Sequence, residues 1–413
     1  MGAILESVKI DQNEVPFIFE EDKNLPIVSM QLIFQNSGSL TDSKDGLAKL
    51  ISKLLNQGTK KDGSVGFATK LENRAINLSA HTGAETFVIE LNSLKSEFPY
   101  GVTLLKELLA DPNYTEETLQ KIKTKTIGEL QRKESDFDYI SDLTMKGMIF
   151  PDTPLAKPSL GTVKSVESIT LADIQNTIHN HLGIENTIVM MGGDISKEEA
   201  VKLSTDVLQQ LPHVTPHPIQ SMTAIGKEQS KETKVDSEQA YIYFGAPLDI
   251  PYDSEERYLG QVSAFILGSG GFGSRMMEDI RVKKGLAYSA YSQYNINKSH
   301  SYFSGFLQTK VSSGDEAVKS VKEVVRTFID KGVTAEELES AKQFILGSQP
   351  LRTETLSQRL SRAFQEYYTN RPLGATLEEL KKIEKITLEE INGFIKKHQE
   401  ISELSFSVVT GNQ

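Results

Sequence analysis

The feature of this sequence that most constrains its fold is a pattern that occurs twice. Residues 169–174 read Ile-Thr-Leu-Ala-Asp-Ile, and residues 386–391 read Ile-Thr-Leu-Glu-Glu-Ile. Each copy is followed by an apolar run that reaches a glycine, at 187–192 and at 404–411. Because self-similarity at a long period marks a structural unit that is used more than once, the sequence predicts two related units. Each would span about 200 residues, which is a typical size for one domain.

A second matched pair supports the duplication. Residues 115–119 and 334–338 both begin with threonine and continue with acidic residues, as expected at the start of a polar helix. Two helix starts fit the capping box, in which a threonine and a glutamate three residues later satisfy each other's backbone N–H groups. They are Thr334 with Glu337 and Thr387 with Glu390.

The division between the units is marked by composition. Residues 212–236 are rich in proline at first and then polar and charged, which is typical of a linker. We therefore predict an N-terminal domain at 1–211, a linker at 212–236 and a C-terminal domain at 237–413.

Alternation of apolar and polar residues predicts strands in both units. The predicted strands are 15–19, 27–34, 78–80, 85–91, 240–245 and 302–307. Long helices lie between groups of neighbouring strands rather than after every strand. This arrangement favours an α+β fold over a doubly wound parallel sheet.

Composition excludes several classes of protein. The 413 residues include no cysteine, which excludes disulfides and thiolate metal sites. The net charge of -11, without a basic stripe, argues against a nucleic-acid partner. No stretch approaches the roughly 20 apolar residues of a membrane span. The first 14 residues are charged and unlike a signal peptide, so we expect a cytoplasmic protein, or a periplasmic one if a leader has been removed.

Residues 46–59 predict an amphipathic helix with an unusual polar face. Its apolar face consists of Leu47, Leu50, Ile51, Leu54 and Leu55. Lys49, Ser52 and Lys53 fall on the other face at i, i+3 and i+4, so the two ammonium groups stack one turn apart. Taken alone, this face predicts ordinary solvated surface.

The C-terminal half contains a second motif. A glycine loop at 268–273 precedes Arg281 and Tyr288, which are seven residues apart. The glycines let the backbone approach a ligand closely, but no P-loop lysine follows in register, so a phosphate cradle is disfavoured. The simplest alternative is structural, with Tyr288 as a core aromatic and Arg281 in a surface ion pair.

Together the helix frame, the glycine loop and the Arg/Tyr spacing resemble the M16 metallopeptidases, such as pitrilysin and the mitochondrial processing peptidase. The resemblance implies that Lys49, Ser52 and Lys53 stand where the family's inverted His-x-x-Glu-His motif binds zinc and activates water. Glu129 stands where the third ligand is expected, and with no histidines to join it we expect it to pair with Lys49 or Lys53, or to face water. An ammonium group offers a metal no lone pair, so we expect no zinc in this chain.

The same resemblance implies roles for other residues. Arg281 and Tyr288 match the pair that reaches the zinc site and contacts substrate. Substrate-binding positions would be Ser79 and Ala80 on an edge strand, and the loop residues Gly268, Gly270, Gly271 and Phe272. The implied fold is the metallohydrolase fold of the mitochondrial enzyme, with two homologous α/β-sandwich units that face each other across a chamber.

From these residues we expect the non-catalytic subunit of a heterodimeric zinc peptidase acting on unfolded peptides. The zinc would belong to a paralogous partner, and Arg281 and Tyr288 would serve that partner's site. One alternative is a structural or peptide-binding protein, like the M16-like core subunits of the cytochrome bc1 complex, and another is a homodimer. The seven histidines are spaced unfavourably for a substitute metal site, since His179 and His181 lie on different sides of a helix.

Overall fold

The computed structural model describes residues 2–412 and contains two separate β-sheets. The strands of the first sheet are β1 (Ile4–Ile10), β2 (Asn13–Glu21), β3 (Ile27–Gln35), β4 (Asn77–Thr82), β5 (Thr86–Leu94) and β6 (Thr187–Gly193). Those of the second are β7 (Ser230–Lys234), β8 (Gln239–Pro247), β9 (Ala287–Ile296), β10 (Ser301–Lys310) and β11 (Ser405–Thr410). All six strands predicted from alternation are confirmed, and so are the two apolar runs that follow the repeat.

Most of the remaining chain is helical, which makes the fold α+β as predicted. The helices are α1 (Leu47–Leu55), α2 (Gly63–Glu72), α3 (Phe98–Ala110), α4 (Glu116–Lys133), α5 (Phe137–Ile149), α6 (Val163–Ser168), α7 (Leu171–His181), α8 (Lys197–Leu208), α9 (Arg257–Ala264), α10 (Gly314–Lys331), α11 (Ala335–Gly347), α12 (Leu356–Tyr368), α13 (Ala375–Lys385) and α14 (Leu388–Lys397). Two π-helical segments, Phe265–Ser269 and Met277–Lys283, lie between α9 and β9. Both predicted capping boxes are present, at the starts of α11 and α14.

The two sheets share one topology. The first has the order β1-β2-β6-β3-β5-β4, and the second has the order β7-β11-β8-β10-β9. In each sheet the strand that follows the repeated motif (β6 or β11) pairs parallel with one neighbour and antiparallel with the other. The first sheet adds only β1 to this shared five-stranded plan, so the duplication seen in the sequence is confirmed at the level of strand order.

The chain forms two compact units that are not consecutive lengths of sequence. One comprises the chain up to Gln131, Pro158–Ile219 and Arg352–Tyr368, and the other comprises the remaining segments. Helix α5 therefore belongs to the second unit, where it packs on β8 and β11, whereas α12 belongs to the first and packs on β2 and β6. Each half of the chain thus supplies one helix to the other half's unit. The boundaries of the two repeats and of the linker at 212–236 stay a prediction. The predicted linker contains strand β7 of the second sheet.

Each unit has its own apolar core. In the first, phenylalanines of β2, β3 and β5 are buried together with the apolar face of α1; in the second, β8, β10 and β11 contribute Phe244, Phe303 and Phe406. In residues 2–412, no helix combines the length and the apolar character needed to cross a membrane. The cytoplasmic or periplasmic location stays a prediction.

Candidate functional site

Helix α1 is fixed in place at its start by a glycine and an aspartate. Gly46 has a φ of 91°, and a Cβ there would lie 2.5 Å from the carbonyl oxygen of Leu160, so only glycine fits. Asp42 accepts hydrogen bonds from the backbone N–H groups of Gly46 (3.1 Å) and Ala48 (2.8 Å). The apolar face predicted for α1 is confirmed, since all five of its side chains are buried.

Asp42 gives this helix start a pH dependence. Burial raises the pKa of its carboxyl to about 7, against the hydrogen bonds from Ala48 and Gly46. Between about pH 4 and 7 the folded chain keeps a proton that the unfolded chain releases, so this group's contribution to stability falls as pH rises through that window. We expect Asp42→Asn to remove this loss. Its unfolding free energy relative to wild type should rise by about 2 kcal/mol from pH 5 to pH 7.5 in urea titrations, whereas a constant difference would contradict the assignment.

The polar face of α1 is bound to its neighbours rather than solvated. The Lys49 ammonium donates to the backbone carbonyl of Thr82 on β4, and burial lowers the pKa of Lys49, with the nearby Lys53 charge adding to the shift. Ser52 is buried, and its hydroxyl donates to the carbonyl of Lys49 at 2.9 Å. The prediction of an ordinary solvated face is therefore wrong.

Lys53 and Glu129 form an ion pair between α1 and α4. The Lys53 Nζ lies 2.6 Å from Glu129 Oε2 and 3.1 Å from the hydroxyl of Thr126. Both side chains are partly exposed, so the pair contributes at most about 1 kcal/mol to stability. The pair matters for metal binding. Glu129 is the only carboxylate among the four motif positions, and the Lys53 ammonium already neutralises its charge.

These four residues do not fit a zinc ion. Zinc in proteins takes lone pairs from imidazole, thiolate or carboxylate, and the set offers two ammonium groups, a hydroxyl and a paired carboxylate. Nor does any other group of three or more His, Cys, Asp or Glu side chains within residues 2–412 form a candidate metal site. The structure does bring the rings of His181 and His217 to 6.2 Å, a proximity that their sequence spacing did not predict.

The edge strand named by the sequence lies directly against α1. β4 is the last strand of its sheet, and within residues 2–412 it pairs with β5 alone. Ser79 and Ala80 are in its middle, and Ala80 exchanges two hydrogen bonds with the side chain of Asn56 at the end of α1 (2.7 and 2.9 Å). Sequence reasoning missed Asn56, although its place just after the motif lysines on the same helix could have indicated it.

The second motif is built on rigid supports. Gly268 lies in the π-helical segment Phe265–Ser269 rather than in a loop. A Cβ on Gly268 would collide with the hydroxyl of Ser292 on β9, so glycine lets this segment rest on the edge strand. Just beyond the loop, Arg275 forms a two-bonded pair with Glu337 (2.6 and 2.8 Å) and also donates to the carbonyl of Gly332. Paired guanidinium–carboxylate bonds of this kind fix orientation as well as position. Arg275 therefore anchors the segment that carries Arg281.

The glycine loop presents an aromatic ring to solvent. Gly270 contacts Phe265, whereas Gly271 has a φ of 65° in open space. Phe272 follows and is 72% exposed. An exposed ring at the tip of a loop does not stabilise a core, which leaves it available for a binding role.

Arg281 lies between two exposed aromatic rings. Its guanidinium carbon is 4.7 Å from the ring centre of Phe272 and 5.9 Å from that of Tyr288. Tyr288 is 89% exposed, which makes the alternative of a core aromatic wrong. The structure thus brings Arg281, Tyr288 and Phe272 together as one surface cluster, which we call the Arg/Tyr cluster.

A β-bulge sets the position of Tyr288. Ala290 is paired with Leu307 and Ala287 with Thr309, so Tyr288 and its neighbour Ser289 face a single residue of β10. A bulge bends a strand locally and re-aims the side chains that it carries. The phenol consequently projects into solvent at the start of an edge strand.

The fold and the site define a duplicated α+β protein that keeps the frame of a metallopeptidase helix without its metal donors. Residues 17–162 match the family model described as "Insulinase (Peptidase family M16)", and residues 168–345 match "Peptidase M16 inactive domain". A Helicobacter pylori protein named "Non-peptidase homolog YmxG" is 42% identical over 413 residues, which cover 100% of this chain and 95% of that protein. The chain belongs to the M16 peptidase family.

Solved structures share the fold at lower identity. The M16 inactive domain protein from Pseudomonas fluorescens aligns with a TM-score of 0.92 at 22% identity, over 100% of this chain and 99% of its own. A structure described as a protease from Helicobacter pylori aligns with a TM-score of 0.85 at 15% identity, over 99% and 100% of the two chains. At these identities the likeness concerns the fold alone.

Proposed function

We propose that this chain is the non-catalytic subunit of an M16 zinc peptidase and supplies Arg281 and Tyr288 to a zinc-bearing partner chain. The observation that carries the proposal is an asymmetry between the two motifs. The positions for metal ligands hold Lys49, Ser52 and Lys53, whose side chains are engaged in structural contacts. The Arg/Tyr cluster, in contrast, is intact and exposed.

The chemistry of the cluster suits peptide hydrolysis. Addition of water to an amide passes through a tetrahedral oxyanion, and preorganised donors stabilise its charge. A guanidinium and a phenol O–H are such donors, and both can also bind the backbone carbonyls of an extended peptide. Arg281 contacts both aromatic rings, and the bulge directs Tyr288 to the same surface, so the two donors lie side by side.

The zinc would belong to the partner. When bound there, it would lower the pKa of a coordinated water and polarise the scissile carbonyl. This chain's own contribution would be limited to donors at Arg281 and Tyr288 and a contact surface at Phe272.

The comparisons support a division of labour between two chains. The Helicobacter pylori protein named a non-peptidase homologue is 42% identical to this chain, whereas the structure described as a protease from the same species is 15% identical. These differing identities distinguish two chains of related fold in one organism. One species therefore has both a relative named a non-peptidase homologue and a protein of the same fold described as a protease, as the proposal requires.

Reconstitution tests the proposal. We expect that mixing this chain with an M16 chain from the same genome that has an intact His-x-x-Glu-His motif will give a complex on gel filtration. Cleavage of fluorescein-labelled casein should rise by at least about a hundredfold over the zinc-bearing chain alone, which corresponds to about 2.7 kcal/mol of added transition-state stabilisation. Heat-denatured chain serves as the control. No complex, or a complex with unchanged cleavage, would refute the role.

A structural or peptide-binding role without peptidase activity is the second candidate, and the engagement of all the motif positions in structural contacts favours it. Affinity purification from the native organism separates the two candidates. Recovery of a zinc peptidase as the main partner supports the first, and recovery of an unrelated assembly supports the second. A chain recovered only with copies of itself would indicate a homodimer and contradict both heteromeric roles.

A further inference from the structure

The edge of β4 is a natural place for another strand to bind. An edge strand presents unpaired backbone N–H and C=O groups at every second residue, and an extended peptide can add to them as a new strand. Ala80 directs its N–H and C=O away from β5 and towards Asn56. The unpaired edge groups of β4 therefore belong to Ala80 and to every second residue of the strand on either side of it. Thr82 is in the same register, two residues further along.

Helix α1 occupies this edge with side chains. The amide of Asn56 donates to the carbonyl of Ala80 at 2.9 Å and accepts from its N–H at 2.7 Å. The Lys49 ammonium donates a hydrogen bond to the carbonyl of Thr82, and the Thr82 hydroxyl donates to the carbonyl of Ala48 at 3.1 Å. Four hydrogen bonds therefore join α1 to β4, and three of them use backbone groups of the strand edge.

A side-chain amide is the same chemical group as a peptide bond. Its N–H and C=O can pair with one strand residue as an added strand would, and Asn56 makes both of these bonds to Ala80. Lys49 then covers the next outward carbonyl in the same row. The two side chains reproduce part of the pattern that an incoming peptide would make.

We infer that Asn56 and Lys49 close the β4 edge, so that an extended peptide can add to this strand only by displacing the Asn56 amide. The inference concerns the chain by itself. It also deepens the proposed function, and in that respect rests on it, because peptide in the complex would then pair with the partner's edge strand while this chain supplies the Arg/Tyr cluster. Of the two residues predicted to bind substrate, Ala80 would hold α1 instead, and Ser79 would remain paired with β5.

Asn56 is the sharper of the two positions to test. It is exposed and follows the last residue of α1, so its replacement leaves the buried face of the helix intact. Gln57 is the matched control, because it carries the same amide on the next residue but donates to the carbonyl of Lys53 on α1 at 3.4 Å and not to β4.

The experiment measures binding of a short fluorescein-labelled peptide of alternating valine and threonine to the full chain by fluorescence anisotropy. We expect Asn56→Ala to bind this peptide about fivefold to tenfold more tightly than wild type, the effect of freeing two backbone hydrogen-bonding groups. Gln57→Ala should bind as wild type does. A peptide methylated at alternate backbone nitrogens should show no gain, because strand addition needs those N–H groups.

Hydrogen exchange of the free chains gives an independent reading. In Asn56→Ala the amide of Ala80 should exchange faster than in wild type, while the amide of its strand neighbour Ser79, directed towards β5, should keep its rate. Equal peptide affinity in all three proteins, or equal gain with the methylated peptide, would overturn the inference. Unchanged exchange at Ala80 would do the same. None of these results depends on a partner, so they are distinct from failure of the reconstitution.

Discussion

Replacing Arg281 with alanine and Tyr288 with phenylalanine should reduce peptide cleavage by the reconstituted complex by at least about a hundredfold in kcat/KM. The expected size follows from the cost of removing one preorganised donor to an oxyanion, which is about 100-fold to 1,000-fold in rate. The two side chains form one cluster, so their single replacements should not add independently. Measurement of the single and double variants would give the coupling directly.

Stability should be almost unaffected by these replacements. Tyr288 is 89% exposed, and loss of its hydroxyl removes no buried contact. Arg281 contacts aromatic rings at the surface, where a cation–π contact contributes about 0.5–1 kcal/mol. A loss of cleavage accompanied by normal melting and normal complex formation would therefore point to chemistry rather than folding.

A matched pair of replacements serves as the control. Tyr291→Phe removes a phenol O–H from the same strand, where it donates to Gln293 at 3.2 Å, and Arg326→Ala removes an exposed guanidinium from α10. This control should keep cleavage within about twofold of the unmodified complex. If the Arg281 and Tyr288 variants behaved like the control, the proposed contribution to the partner's site would be refuted.

Local patterns in the sequence were sufficient to predict much of this fold. Alternation located six strands, including the edge strand β4, and the apolar runs after the repeat located the buried strands β6 and β11. The repeat itself predicted the duplicated topology. Strands β1 and β7 were not predicted. β1 is mostly exposed and its apolar residues do not alternate at its start, where Ile4 and Leu5 are adjacent. β7 is exposed and polar throughout. β9 was not predicted either, because its bulge interrupts the alternation at Tyr288.

The contacts of the candidate site depended on tertiary structure. The sequence indicated that Glu129 could pair with Lys49 or Lys53, and in the structure Glu129 pairs with Lys53. It could not show that Asn56 meets Ala80, because that pairing depends on how α1 lies against the edge of the sheet. The sequence also did not predict that α5 packs on the second sheet and α12 on the first. The apolar face of an amphipathic helix does not specify which of two similar sheets it covers.

The largest effect on stability is expected from a residue of α12, the helix from the C-terminal half that packs on the first unit's sheet. Arg359 on this helix donates from Nε to Glu20 Oε1 at 2.6 Å and from Nη2 to Asp22 on the first unit's sheet. Glu20 is 4% exposed, and its second carboxylate oxygen is buried without a hydrogen bond. Removing one partner of a buried ion pair leaves an uncompensated charge, so we expect Arg359→Met to lower the unfolding free energy by about 3–5 kcal/mol.

A double-mutant cycle separates the buried charge from simple loss of packing. Glu20→Gln in the Arg359→Met background removes the stranded charge and should restore about half of the lost stability, measured by urea unfolding at pH 7. Arg359→Lys keeps the charge but cannot reach both carboxylates with a planar fork, so its stability should fall between those of wild type and Arg359→Met. If Glu20→Gln instead added its own cost to that of Arg359→Met, the buried carboxylate would not be what α12 neutralises, and the helix would be held on its sheet by its apolar face alone.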